Sequence, residues 1–246
     1  MKKMHVVILI AIILVVGAYL FGANAYIYHR IHQGNLVAPD TTHHYEISGP
    51  EGGAPLVYAA LGDSLTAGIG ADTYEQSYPY RLAQKLAVRN AINLEVFAYP
   101  GLKSDELVAN YLSRAIQAKP DIVTVLIGTN DIHNWVSSAE FEKNYRTLLV
   151  ALSKTNAKVY AVSIPYIGSN SLHLFPLNYY FDHEIAKFNA IVERLAAEYG
   201  ATYVDIATPT KSLLKKDGPL YSRDSFHPSA LGYSAWSTIL YANINF

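Results

Sequence analysis

Five short apolar runs, at residues 56–61, 94–98, 122–127, 159–164 and 202–206, do most to limit what this chain can fold into. Each is rich in aliphatic and β-branched residues, and the apolar character is continuous rather than alternating. A strand of that kind is buried on both faces, as in a parallel sheet covered by helices. Between the runs the spacing becomes helical. Tyr78, Leu82 and Leu86 stand four apart; Phe141, Tyr145, Leu148 and Leu152 form one stripe, and Ile185, Phe188, Val192, Leu195 and Tyr199 another. A last helix is expected over 229–239. The alternation predicts an α/β fold: a five-stranded parallel sheet with helices on both faces. Ligands on such sheets bind beyond the carboxyl ends of the strands, so the residues just after each run matter most.

After the first run comes Gly62-Asp63-Ser64-Leu65, and after the second Tyr99-Pro100-Gly101. The third is followed by Gly128-Thr129-Asn130-Asp131 and the fourth by Pro165-Tyr166-Ile167-Gly168. Past the fifth, before the last helix, stands Ser222-Arg223-Asp224-Ser225-Phe226-His227-Pro228. A serine hydroxyl needs a base within hydrogen-bond reach to act as a nucleophile. His227 is the candidate base for Ser64. Asp224, three residues earlier on a short turn, is placed to hold one imidazole nitrogen and leave the other for the serine. Pro228 suits the first position of the closing helix. Attack on a carbonyl also builds an oxyanion, which needs fixed donors. The backbone N–H groups of Ser64, at an expected helix start, and of Gly101 are candidates, as is the side-chain amide of Asn130.

Each residue also has a plainer explanation. Ser64 alone reads as a helix cap, Asn130 and Gly101 as turn residues, Asp224 as a turn or cap carboxylate, His227 as a surface histidine. What favours chemistry is that all five stand in order, each at a strand end or helix start. Asp63 and Asp131 are read as loop or cap carboxylates. Thr66 stands where a Gly-x-Ser-x-Gly elbow would have its second glycine, so this is not that elbow.

Taken together, the four blocks resemble those of the SGNH, or GDSL-type, serine hydrolases: Gly62-Asp63-Ser64-Leu65, Gly101, Gly128-Thr129-Asn130-Asp131, and Asp224-Ser225-Phe226-His227. The resemblance runs from about residue 56 to the C-terminus. It implies a flavodoxin-like three-layer α/β/α sandwich and a serine esterase or lipase that uses no metal or other cofactor. By position it makes Ser64 the nucleophile and first oxyanion donor, with Gly101 and Asn130 completing the hole. His227 becomes the general base and then acid, oriented by Asp224. Gly101 is the loosest match, because Tyr99-Pro100 precede it where small or polar residues are common.

The N-terminus carries a separate signal. Lys2 and Lys3 precede an uncharged stretch at residues 6–23, about long enough to cross a bilayer. Ala23-Asn24-Ala25 resembles a signal-peptidase site, but Tyr26, Ile27 and Tyr28 prolong the apolar character, as at the outer end of an anchor. Residues 1–28 are therefore expected to be a hydrophobic helix acting as a membrane anchor, or a cleaved signal segment, with the remainder exported. Residues 29–54 read as a linker and 55–246 as the hydrolase domain. His29 and His32, or His43 and His44, lack further ligands at metal-binding spacing and read as linker histidines. The net charge of −1 shows no basic footprint for nucleic acid, and with no cysteine there is no disulfide or thiolate.

The substrate is less legible. In "YIGSNSLHLFPLNYYFDH", Leu172, Leu174, Phe175, Leu177, Tyr179, Tyr180 and Phe181 are expected in a loop beside the site, either exposed to hold an acyl chain or touch a membrane, or packed as ordinary core. With export, this favours lipid or lysophospholipid esters. Deacetylation of an envelope polysaccharide, acyl transfer to another alcohol, and a catalytically silent binding module on the same fold are the alternatives.

Overall fold

A computed structural model of the chain describes residues 2–33, 38, 43–50, 54–166, 172, 174–214 and 218–244. Along the chain they form α1 (Lys2–Gln33), β1 (His44–Ile47), β2 (Leu56–Gly62), α2 (Tyr78–Leu86), β3 (Ile92–Ala98), α3 (Ser104–Asn110), α4 (Leu112–Gln117) and β4 (Ile122–Leu126). Then follow α5 (Thr129–His133), α6 (Ser138–Leu152), β5 (Lys158–Val162), α7 (Leu177–Glu198), β6 (Thr202–Val204), α8 (Ala207–Leu214) and α9 (Ala230–Asn243).

The strands make one sheet in the order β1-β3-β2-β4-β5-β6. From β3 to β6 all pairs are parallel, and this part has the doubly wound order of a flavodoxin-like sheet. The expectation of five parallel strands is corrected to a mixed sheet of six, because β1 joins the edge antiparallel to β3. It comes from the stretch read as linker. Its residues alternate between exposed and half-buried, as befits an edge strand. Tyr45 stacks on Tyr74 with ring centroids 4.7 Å apart, and His44 Nδ1 lies 2.8 Å from Glu95 Oε1.

The central strand β4 is buried throughout, and β2 over its last five residues. Helix α2 packs with α9, while α6 packs with both α3 and α7, so two helical layers enclose the sheet. In α6 the buried residues Phe141, Tyr145, Leu148, Leu149 and Leu152 make the expected stripe, and the Ser137 side chain caps the first turn by accepting from Glu140 N–H. Helix α7 starts earlier than its stripe suggested, so Leu177, Tyr179, Tyr180 and Phe181 are helical rather than looped. Leu177 and Phe181 extend the buried face of Ile185, Phe188, Val192 and Leu195, whereas Phe175 and Tyr179 are 69% exposed. The core reading therefore holds for Leu177 and Phe181 but not for Phe175 and Tyr179. Residues 167–171 and 173 lie outside the described ones, as do 34–37, 39–42 and 51–53 of the expected linker.

Helix α1 is long and apolar enough to cross a membrane. Its final turns lie against the domain. Ala23 and Ile27 are buried in the same apolar cluster as the sheet, and Leu20 packs against it.

Candidate active site

Register brings three of the expected loops to one place. Gly62, the last residue of β2, pairs with Ala98 of β3 on one side and Leu126 of β4 on the other. Ser64, Gly101 and Asn130 thus leave the sheet at the same level. The crevice where chain order reverses, between β2 and β4, is where such sheets bind ligands. Gly62 allows a sharp exit: a Cβ there would lie 2.4 Å from the Leu126 carbonyl oxygen and 2.1 Å from Thr66 Oγ1.

No helix begins at Ser64, contrary to the expectation from sequence. Residues 64–70 are a run of turns, with Thr66 N–H and Ala67 N–H donating to the Asp63 carbonyl and Ile69 N–H to that of Ser64. The hydroxyl of Thr66 is 2.9 Å from that of buried Tyr78, and Tyr233 Oη donates to the Ile69 carbonyl at 2.6 Å. The turn is thus held by the helical layer of α2 and α9 rather than by a helix of its own.

The loop carrying Asp224 and His227 is closed at its base. Ser222 N–H donates to the His227 carbonyl at 2.8 Å, and Ser229 N–H to the Leu220 carbonyl at 2.9 Å. Ser225, at the tip, has a φ of +59°. Asp224 Oδ1 accepts from the N–H groups of Phe226 and His227, at 2.9 and 3.0 Å, and from Ser222 Oγ at 2.7 Å. This local turn folds the carboxylate back onto its own loop. Helix α9 starts at Ala230 with Ser229 as its cap, so Pro228 stands just before the cap rather than at the first helical position expected for it.

The outcome is a continuous chain of hydrogen bonds. Asp224 Oδ2 is 2.5 Å from His227 Nδ1, and His227 Nε2 is 3.0 Å from Ser64 Oγ. All three residues are buried. A hydroxyl so joined to an imidazole can lose its proton as it attacks an electrophile, and the carboxylate favours the imidazolium that forms.

On the opposite side, Asn130 Nδ2 donates to the Leu102 carbonyl at 3.0 Å and lies 3.5 Å from Asp63 Oδ2. Gly101 has a φ of +83°, and no atom lies within 4 Å of where a Cβ would be. The space above this backbone is therefore open to a ligand.

Two carboxylates that sequence reading treated as loop or cap residues tie these loops together. Asp63 accepts from Leu65 N–H at 3.0 Å and faces Asn130, linking the β2 and β4 loops. Asp131 accepts from Ser104 N–H at 3.0 Å and from Ser104 Oγ at 2.5 Å, linking the β4 loop to the start of α3 behind Gly101. Asn144 Nδ2 adds a donor to Ser104 Oγ at 3.1 Å. Nothing local marks these links, since Asn130 and Ser104 lie far away in sequence from the carboxylates they meet.

Environment separates the acids. Burial pushes the Asp63 carboxyl up to about 7, with the charge of Asp131 adding to it and the Leu65 N–H opposing it. Burial likewise raises Asp131. Burial also acts on Asp224, but the hydrogen bonds from His227, Ser222 and Phe226 N–H and the charge of His227 outweigh it and hold this carboxyl below its usual value. Asp224 is thus the acid suited to face an imidazolium, while Asp63 is held towards its neutral form.

A stability prediction follows from Asp63. Its folded value lies above that of the unfolded chain, so its contribution is full below about pH 4 and is lost as pH rises to about 7. The loss over that range is on the order of 3–4 kcal/mol. Denaturant midpoints of the wild type should fall between pH 5 and 8, and those of Asp63→Asn should fall less; parallel profiles would contradict the assignment.

The model of the GDSL-like lipase/acylhydrolase family matches residues 60–235. The chain belongs to this family. Like its relatives it is a serine hydrolase that acts on ester bonds. A spore germination lipase of Bacillus licheniformis is 29% identical over 206 residues, covering 76% of this chain and 95% of the relative. An acetylxylan esterase of Xylanibacter ruminicola is 26% identical over 208 residues, 76% of this chain but 42% of that protein. Among solved structures, a catalytic variant of an acetylxylan esterase from Geobacillus stearothermophilus superposes with a TM-score of 0.64 at 20% identity, over 80% of this chain and 97% of that one. A putative GDSL-family lipolytic protein from Desulfitobacterium hafniense gives 0.60 at 17% identity, over 76% and 99%. These two likenesses concern the fold.

Proposed function

We propose that this GDSL-type esterase is exported, held at the membrane by α1, and cleaves acyl esters of lipids or lysophospholipids. Ser64 is the nucleophile, His227 the base, and Asp224 its orienting partner. The observation that carries the mechanism is the 3.0 Å and 2.5 Å pair of hydrogen bonds joining the three. Ser64 Oγ attacks the ester carbonyl while its proton passes to His227 Nε2. The oxyanion is received by the N–H groups of Ser64 and Gly101 and by Asn130 Nδ2. The long 3.5 Å contact to Asp63 leaves one hydrogen of that amide for the role. His227 then protonates the leaving alcohol, and water repeats the sequence on the acyl-enzyme.

The substrate reading is supported by exposed Phe175, Tyr179 and Trp135 near the site and by the relative named as a lipase. Export and anchoring are supported by the apolar α1 behind its lysine head. A second reading, removal of acetyl groups from an envelope polysaccharide, is favoured by relatives named as acetylxylan esterases. A panel of p-nitrophenyl esters of increasing chain length, run beside acetylated sugars, separates the two. Medium or long acyl chains should be turned over fastest; a large preference for acetylated sugars would replace the first reading with the second.

A further inference from the structure

Three exposed aromatic residues, Trp135, Phe175 and Tyr179, cluster beside the loop that carries His227. Trp135, just after α5, packs on Tyr180 with centroids 4.6 Å apart, and Phe175 meets Tyr179 edge-on at 5.9 Å. Phe175 and Tyr179 are 69% exposed and Trp135 55%; Leu174 beside them is also exposed. From this rim a line of rings leads inward. Tyr180 contacts Phe181 at 5.5 Å, Phe181 stacks on His133 at 4.5 Å, His133 meets Phe226 at 5.3 Å, and Phe226 meets His227 at 4.9 Å. A row of packed rings thus joins the rim to the catalytic histidine.

Helix α1 reaches the same side. Tyr19 Oη donates to the Phe175 carbonyl, and Arg30 Nη2 donates to Ser225 Oγ, between Asp224 and His227, at 3.4 Å. Between these bonds Ala23 and Ile27 are buried against the domain. Tyr19 lies inside the uncharged stretch at 6–23, four residues before its end. At 1.5 Å per residue, the Phe175 backbone meets the helix about 6 Å below Ala23, where the aliphatic residues give way to Asn24 and to Tyr26 and Tyr28 of the outer end. This is the depth of the boundary between headgroups and acyl chains, where aromatic side chains collect and apolar faces of interfacial elements sit.

We propose that Trp135, Leu174, Phe175 and Tyr179 form a bilayer-contacting surface, held by α1 in the outer interface with the active-site mouth beside the lipid. The proposal rests on the anchor reading of α1 and deepens it. The orientation comes from α1 docking, because a helix joined only by a flexible tether would leave the rim free to face water.

Tryptophan fluorescence tests this on the full chain reconstituted in phosphatidylcholine vesicles. The chain has two tryptophans, and Trp236 is only 1% exposed. Quenching by bromine on the lipid therefore reads Trp135. Vesicles containing phosphatidylcholine brominated near the headgroup end of its acyl chains should lower the emission. The loss should vanish in Trp135→Phe and shrink in a Phe175→Ser/Tyr179→Ser chain. Retention of the chain through an alkaline carbonate wash, with equal emission in plain and brominated vesicles, would overturn the proposal while leaving the anchor standing. Release of the chain by the wash would remove the anchor itself, and the proposal with it.

Discussion

Replacing Ser64 by alanine is expected to lower kcat on a p-nitrophenyl ester by about 10⁶-fold, the scale set by nucleophile deletions in other serine hydrolases. The argument is chemical. Alanine has no atom to form the acyl-enzyme, so what remains is whatever rate the oxyanion donors and bound water supply. The fold should be indifferent. Only the bond to His227 Nε2 is lost, which costs about 1 kcal/mol. Loss of activity with an unchanged circular dichroism spectrum and a near-native melting midpoint is the expected pair of results. Turnover within tenfold of the wild type would exclude the proposed mechanism.

Asp224→Asn should be the next most damaging change, at about 10⁴-fold in kcat. Its size is a matter of tautomer. The asparagine oxygen can still accept from Phe226 N–H, His227 N–H and Ser222 Oγ, so the loop keeps its shape. Its amide nitrogen then faces His227 Nδ1 and donates to it. The imidazole proton moves to Nε2, which now donates to Ser64 Oγ instead of accepting from it. A base becomes a donor with no change in position. Asp224→Asn with activity close to that of the wild type, in a folded protein, would show that another group orients His227.

Much of the architecture could be read beforehand because β2 and β4 are sandwiched on both faces. Continuous apolar runs have few other uses in a chain this size, and their ends point to the ligand crevice. Strand β1 escaped notice for the opposite reason. An edge strand is covered on one side, its four residues alternate in exposure, and its partner Glu95 lies across the β2–α2 segment. The start of α7 was hidden by a cluster of aromatic residues that looks the same whether looped or helical. Only packing shows that Leu177 and Phe181 join the core while Phe175 and Tyr179 do not.

For the site, sequence alone determined which residue types were available and that Ser64, Gly101 and Asn130 follow strands. Asp224 and His227, three apart on a turn, could be paired from local geometry. What only the tertiary structure decided is how those pieces face one another. His227 and Ser64 meet where the loop before α9 reaches the turn after β2, and Asp63 and Asp131 turn from loop carboxylates into struts between the β2, β3 and β4 loops. The final turns of α1 lie against the loop of Asp224 and His227 through Arg30 and Ser225. Composition and periodicity report how much of a segment is buried, because burial is an average over neighbours. They do not report which neighbour is met, because that depends on contacts between residues far apart in the chain.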